Sequence, residues 1–262
     1  SGIEAITAGE VEKVVLARDL VGTIPAGADL RRLVRALATS YPDTWTFAVD
    51  GLIGASPETL ITVDRGSVTA RVLAGTTARG ADADEDAAAA HALEASRKDL
   101  DEHRFAVTSV VDALTPLTRD LVALDQPHLL QLPNLWHLAT DVSGRLSNGA
   151  SALDLVRVLH PTAAVAGTPT DAALDVIRRL EPFDRGRYAG PVGWIDANGD
   201  GEWAIALRCA QIGAEPQRYA AAYSDTIPVV AHAGAGIVAA SDPETELLET
   251  RVKFRPIVDA LA

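Results

Sequence analysis

VEKVVLARDL, residues 11–20, reads as a β-strand with a charge in an odd place. Val11, Val14, Val15 and Leu16 are strand formers set close together. Side chains alternate between the faces of a strand, so Val11, Lys13, Val15 and Ala17 are expected on one side. That side is apolar except for Lys13. A lysine that snorkels its ammonium to water is the ordinary explanation. The composition offers another. Of 23 basic residues only three are lysine, namely Lys13, Lys98 and Lys253. Arginine stays protonated, whereas a buried lysine can lose its proton. A lysine that survives in so arginine-rich a chain marks a candidate place where a guanidinium will not serve.

Outward from this strand the elements alternate irregularly. DLRRLVRALATSYP reads as a helix, with Asp29 as its cap and Leu30, Leu33, Val34 and Leu37 as its apolar stripe. TWTFAVDG, LIGAS, TLITVD and SVTARVLAG read as short strands. One long helix is expected from about Asp84 to Leu114, acidic at its start where the helix dipole favours acid. VALDQPHLLQLPNLWHLATDVSGRLS returns to strands, and helices follow near 151–159 and 171–180. PVGWIDANGDGEWAIALRCAQI reads as a β-hairpin, Ala214 to Val230 as a long connection, and VVAHAGAGIV as a strand containing glycine. SDPETELLETRVKFRPIVDALA closes the chain as a helix, with Ser241 and Glu244 in a capping-box pattern and Pro243 in the first turn. Without a βαβ rhythm, this order argues for a mixed α+β layered domain over a doubly wound sheet.

The bulk properties narrow the function. A chain of 262 residues can bury roughly 70–75% of its unfolded surface, so a full core is possible. A single cysteine, Cys209, excludes an internal disulfide and suits a cytoplasmic setting. No apolar run approaches the roughly 20 residues of a membrane helix, and no secretory leader is expected. The chain contains no methionine and starts at Ser1-Gly2, so a fragment or a processed form is expected, with residues missing upstream. The net charge of −13 disfavours nucleic acid and anionic membranes as partners. An anionic small molecule remains admissible wherever the site itself is positive.

Several motifs fail on inspection. DANGDG, residues 196–201, resembles the start of a calcium loop, but the twelfth position is Leu207 rather than a glutamate, so a hairpin turn is the better reading. GAGIVAAS lacks the third glycine of a dinucleotide fingerprint. No G-x-S-x-G elbow is present, and Cys209 sits in an apolar strand as inert core. The acids are more informative. Asp99 and Glu102 lie three apart on one helix, and Glu246 and Glu249 repeat the spacing on another, with Lys253 farther along that face. Two such pairs facing each other offer hard oxygen ligands for Mg²⁺. Solvated helix faces have the same spacing in a chain with 36 acids. Glu58, between two strands, is either a turn residue or, if buried, a carboxyl of raised pKa that can act as an acid.

Taken together, VEKVVLAR, IGASPETL, LAGTTARG, KDLDEHR, LWHLAT, LHPTAAVAG, LEPFDRGRYAGPVGW, IALRCAQI, AGAGIVAASDPE and LLETRVK resemble the chorismate-utilising enzymes, most of all the isochorismate synthases. The segments lie in the family's order across nearly the whole chain. The resemblance implies a chorismate-binding fold of two facing, mainly antiparallel sheets with helices outside. It implies that Lys13 activates water for attack at C2 of chorismate and that Glu58 protonates the departing C4 hydroxyl. Glu102 and Glu249 match the principal Mg²⁺ ligands, with Asp99 and Glu246 beside them. Arg208 and Lys253 look like cations for the substrate carboxylates. Gly234 and Gly236 look like backbone close to the substrate. Gly75, Thr76 and His137 fall in motifs lining the same pocket.

Within the family, anthranilate-type enzymes use an amine nucleophile and do not generally carry the base lysine, so water is favoured here. Salicylate synthases keep both lysine and glutamate and then eliminate pyruvate. Their pocket segment typically has threonine and alanine where this chain has Ala164 and Val165. Salicylate synthase therefore stands as the alternative, beside a fragment that binds chorismate or Mg²⁺ without turnover. Residues 1–262 are read as one chorismate-binding domain, expected as a monomer and lacking the segment that precedes the lysine strand in the family. The resemblance leaves the downstream route open among quinone, siderophore and salicylate formation.

Overall fold

In a computed structural model the protein is described over residues 1–147, 149–213 and 225–262. The chain begins α1 (Gly2–Thr7), β1 (Lys13–Pro25), α2 (Leu30–Ser40), β2 (Trp45–Val49), β3 (Leu52–Ser56), β4 (Thr59–Asp64) and β5 (Ser67–Ala78). It continues α3 (Ala83–Ala95), α4 (Arg97–Leu114), β6 (Thr118–Ala123), β7 (His128–Gln131), β8 (Leu135–Leu146) and α5 (Ala152–Leu159). Then come β9 (Gly167–Thr168), α6 (Thr170–Leu180), β10 (Pro191–Ile195), β11 (Gly201–Ile205), β12 (Cys209–Ile212), β13 (Thr226–Ile237) and α7 (Pro243–Leu261).

The strands form two sheets, ordered β2-β3-β12-β13-β1-β9 and β10-β11-β4-β5-β8-β6, with β7 also on β8. Their pairings are antiparallel. This is the expected α+β arrangement, with helices outside. Leu33 and Leu37 of α2 and Phe254 and Ile257 of α7 pack on Ile53, Ala210 and Ala231 of the first sheet. Val176 and Ile177 of α6 cover Val14 at its other end. Val110 of α4 and Leu155 of α5 share a core with Val68, Val72 and Val142 of the second. Each valine, leucine, isoleucine or phenylalanine among these contributes about 1.5–3 kcal/mol when fully buried.

β1 begins at Lys13, not at Val11. The chain bends at Glu12, so the alternation stops short of Val11, which packs beside Val14 on the opposite face. Lys13, Val15 and Ala17 do share the side that faces the second sheet. Lys13 is clamped at its backbone. Its neighbours Glu12 and Val15 donate N–H groups to Thr168 and Ala166 at 2.7 and 2.8 Å. Gly167 (φ 144°) comes so close that a Cβ there would lie 2.2 Å from the Lys13 carbonyl oxygen.

Four local expectations are corrected. The single helix from Asp84 to Leu114 is two helices. Ser96 takes an extended backbone (φ −74°, ψ 108°), ends α3, and caps α4 by accepting from the Asp99 N–H. Serine favours such a break because its hydroxyl competes for backbone hydrogens. The hairpin over 191–212 is only half a hairpin. β10 and β11 pair around the DANGDG turn, where Asp196 accepts from the N–H groups of Asn198 and Asp200. The chain then crosses to the first sheet, where β12 pairs with β3 and β13. Both strands are apolar, so alternation alone does not reveal the crossing. Asp242, not the Ser241–Glu244 pair, caps α7 by accepting from the Thr245 N–H, while Ser241 accepts from the Val238 N–H. Of the expected connection from Ala214 to Val230, Thr226 onward belongs to β13, and residues 214–224 lie outside the described residues.

Ser96→Ala should cost about 1 kcal/mol, the usual price of losing a helix cap. In thermal denaturation that is a fall of about 2–4 °C in Tm. An unchanged Tm would mean that the break between α3 and α4 does not depend on the serine hydroxyl.

Candidate active site

The strand order places two charged residues where the chain passes between sheets. β3 lies in the first sheet and β4 in the second, and Pro57–Glu58 is the step between them. β11 lies in the second and β12 in the first, and Arg208 (φ 49°) sits on that step. Glu58 is 5% exposed and Arg208 8% exposed. Both line a cleft between the two sheets, beside Val15, Leu73, Glu102 and His137.

Lys13 is fully buried. Its ammonium is 3.4 Å from Glu102 Oε1, yet it makes no hydrogen bond of proper geometry. Burying a charge so poorly paired costs several kcal/mol, which favours the neutral amine. Burial accordingly pushes the Lys13 pKa down, against Glu102 and Glu58, which hold it up. Glu58 moves the other way. Burial raises its pKa to about 8, against Lys13, Arg208 and Lys253. Two groups with ordinary values far apart are thereby drawn together, as a base and an acid working at one pH require.

Gly236 lets Lys13 and Glu102 meet. A Cβ at Gly236 would lie 2.0 Å from Glu102 Oε1 and 3.1 Å from Lys13 Cε. Gly75 (φ 80°) does the same for α4, since a Cβ there would lie 3.1 Å from Asp99 Cβ. His103, 3% exposed, ties α4 to the second sheet through the Ala74 carbonyl (3.0 Å) and the Thr140 hydroxyl (2.8 Å).

The two acid pairs do come together. Lys98 Nζ lies 2.9 Å from Glu246 Oε1, 3.4 Å from Asp99 Oδ1 and 3.8 Å from Glu102 Oε2. Lys253 donates to Glu249 at 2.5 Å and to the Gly234 carbonyl at 3.0 Å. All three lysines of the chain therefore face these four carboxylates. Burial works to raise the Glu102 pKa, but Lys13, Lys98 and Lys253 outweigh it and hold the carboxylate ionised. Burial and the Glu102 charge raise the Glu249 pKa, against Lys253. Among the described residues no three acid, histidine or cysteine groups already converge as metal ligands, and Lys98 and Lys253 lie against these acids. The donor set nevertheless suits a hard divalent cation. Both oxygens of Glu246, 5% exposed, are buried without a properly formed hydrogen bond, which is the condition of a carboxylate built to hold a cation.

The remaining predicted residues line the same cleft: Thr76, His137, Ala164, Val165 and Gly234. Arg208 Nη2 donates to His137 Nε2 (3.2 Å), so the imidazole proton sits on Nδ1 and points to the Thr76 hydroxyl (2.9 Å). Burial and Arg208 keep this imidazole neutral. Sequence reasoning missed three residues. Tyr188 and Arg185 line the cleft within LEPFDRGRYAGPVGW, and Arg185 also braces β1 through the Val15 carbonyl (2.8 Å) and Glu181 (2.5 Å). Lys98 was signalled only by the scarcity of lysine.

Comparison with known proteins agrees with this geometry. The family described as chorismate binding enzyme matches residues 1–262. A protein named MenF in Mycobacterium tuberculosis is 44% identical over 97% of this chain and 68% of its own. Isochorismate synthase DhbC of Bacillus subtilis is 40% identical over 99% of this chain and 65% of its own. The crystal structure of DhbC from Bacillus anthracis superposes with a TM-score of 0.88 at 38% identity, over 99% of this chain and 69% of that one. The chain thus spans about two thirds of the length of these relatives. No helix among the described residues is long and apolar enough to cross a membrane. In sequence over its full length and in the architecture around the cleft, the chain belongs to the chorismate binding enzyme family.

Proposed function

We propose that this protein converts chorismate to isochorismate, adding water at C2 of the ring and expelling the C4 hydroxyl. The observation that carries this reading is the pair of buried groups in one cleft, a lysine pushed towards its neutral form and a glutamate pushed towards its acid form. A related DhbC bears the name isochorismate synthase. Neutral Lys13 accepts a proton from water as its oxygen attacks C2. The ring double bonds shift, the C4–O bond breaks, and Glu58 gives its proton to the leaving hydroxyl, which departs as water. The proton gained by Lys13 and the proton lost by Glu58 balance, so the net change is an isomerisation.

Chorismate is a dicarboxylate, and an acidic protein needs a local cationic wall to hold it. Arg208 and Lys253 supply that wall. Gly234 and Gly236 keep β13 free of side chains beside the ring, and Thr76, oriented by His137, offers a hydroxyl. Glu102 and Glu249, with Asp99 and Glu246, would hold Mg²⁺, which when bound supplies positive charge for the ring carboxylate. In this reading residues 1–262 act as one chorismate-binding domain and as a monomer. The single buried thiol of Cys209 fits a cytoplasmic setting.

The direct test is chorismate turnover with Mg²⁺, with products separated by chromatography. Isochorismate is expected without pyruvate; pyruvate released in step with salicylate would replace this reading with a salicylate synthase, and binding without product would leave only a chorismate-binding domain. Lys13→Ala should abolish isochorismate formation while circular dichroism stays that of the parent, and survival of near-parental rate would remove Lys13 as the base. Because Glu58 must be protonated to act, kcat/KM should fall as pH rises through about 8. A profile flat to pH 10 would count against that role. For Glu249→Gln, loss of most of the rate with weakened Mg²⁺ binding is expected by calorimetry, and unchanged affinity would take Glu249 out of the metal set.

A further inference from the structure

Lys98 has no part in the chemistry above, yet it is the cation most deeply engaged with the acids. Its hydrogen bond and ion pairs all go to Asp99, Glu102 and Glu246. The other two lysines each meet one acid, Glu102 and Glu249 respectively, and are fixed in place. Lys13 is sealed beneath Gly236 with a side-chain exposure of 0%, and Lys253 is held by the Gly234 carbonyl. The Lys98 side chain is 19% exposed, so its four-carbon stem has a route to solvent. Its position spans the two helices, from Asp99 and Glu102 on α4 to Glu246 on α7.

A divalent cation held by these same carboxylates would stand within a few ångströms of the ammonium. Two cations at that range repel strongly in a site shielded from water. Glu246 sharpens the point. Lys98 Nζ is 2.9 Å from its Oε1, but neither carboxylate oxygen receives a well-formed hydrogen bond. The ammonium neutralises Glu246 without satisfying its lone pairs, as a stand-in would.

We propose that Lys98 is an internal counter-cation that occupies the carboxylate cluster when no divalent metal is bound and swings to solvent when one binds. The protein thereby keeps four facing acids together without metal, and it loads metal more weakly than the bare carboxylates would. The proposal rests on the reading of Asp99, Glu102, Glu246 and Glu249 as a divalent-metal site.

The test compares Mg²⁺ and Mn²⁺ binding to the parent, Lys98→Met and Lys98→Arg by calorimetry and by thermal unfolding. Lys98→Met should lower the Tm of metal-depleted protein and tighten metal binding about tenfold or more, because the competitor is gone. Lys98→Arg should weaken binding, since a forked guanidinium holds two carboxylates and leaves less readily. On the parent protein alone, acetylation of Lys98 followed by mass spectrometry should speed up when Mg²⁺ is added, with buried Lys13 as the unreactive internal standard. Parent protein that binds metal, with Lys98→Met equal or weaker and acetylation unchanged, would overturn the displacement while leaving the metal site in place. Absence of divalent binding in the parent and both variants would overturn the metal site and the displacement together.

Discussion

The structure around the cleft depends on one electrostatic balance. Four carboxylates at the starts of α4 and α7 converge from different helices, and three ammonium groups hold them together. The helix starts assist, because Asp99 and Glu246 lie in or near first turns whose free N–H groups carry partial positive charge. Remove the cations and the acids would repel, and α4 would lose a bond to α7. The net charge of −13 makes this local surplus of cations a deliberate feature of the sequence and not a reflection of its average.

The same balance makes a reactive lysine possible. Lys13 is buried because β9 and β13 hold β1 on both edges, and its ammonium finds only a 3.4 Å ion pair. Glu102 is held ionised against its own burial by Lys13, Lys98 and Lys253 together. The cost of burying Lys13 thus falls on the protonation equilibrium and spares the packing. Glu58 and Arg208 reach the cleft by a related economy of topology: both occupy steps between sheets, where a side chain from the backbone crossing is aimed at the space between the layers.

Much of this was legible in the sequence. A strand in VEKVVLARDL, helices in DLRRLVRALATSYP and SDPETELLETRVKFRPIVDALA, the DANGDG turn and the mixed α+β class all follow from period and composition, and the structure has them, with β1 at Lys13–Pro25, α2 at Leu30–Ser40 and α7 at Pro243–Leu261. The ten family segments were legible as well, and with them the residues that now line the cleft. What was misread has local causes. A serine cap split a helix whose alanines ran straight through it. An apolar run hid a change of sheet at Arg208. Asp242 and Ser241 carry similar capping chemistry one residue apart, and the start of the helix decided between them. Tyr188, Arg185 and Lys98 lay inside recognised segments without any periodic signal of their own.

The sequence by itself determined which residue types were available: three lysines in an arginine-rich chain, paired acids three apart on two helices, and glycines at 75, 234 and 236. It also determined the antiparallel, layered class, because alternation and helical stripes are properties of neighbouring residues. Only the tertiary structure decided that all three lysines meet all four acids, that Glu58 and Arg208 stand at the two crossings, and that Lys98 lies between helices more than a hundred residues apart in sequence. Charge pairing across such distances is set by how the sheets and helices pack, and burial, which moves the pKa values of Lys13 and Glu58 in opposite directions, exists only once the layers have closed.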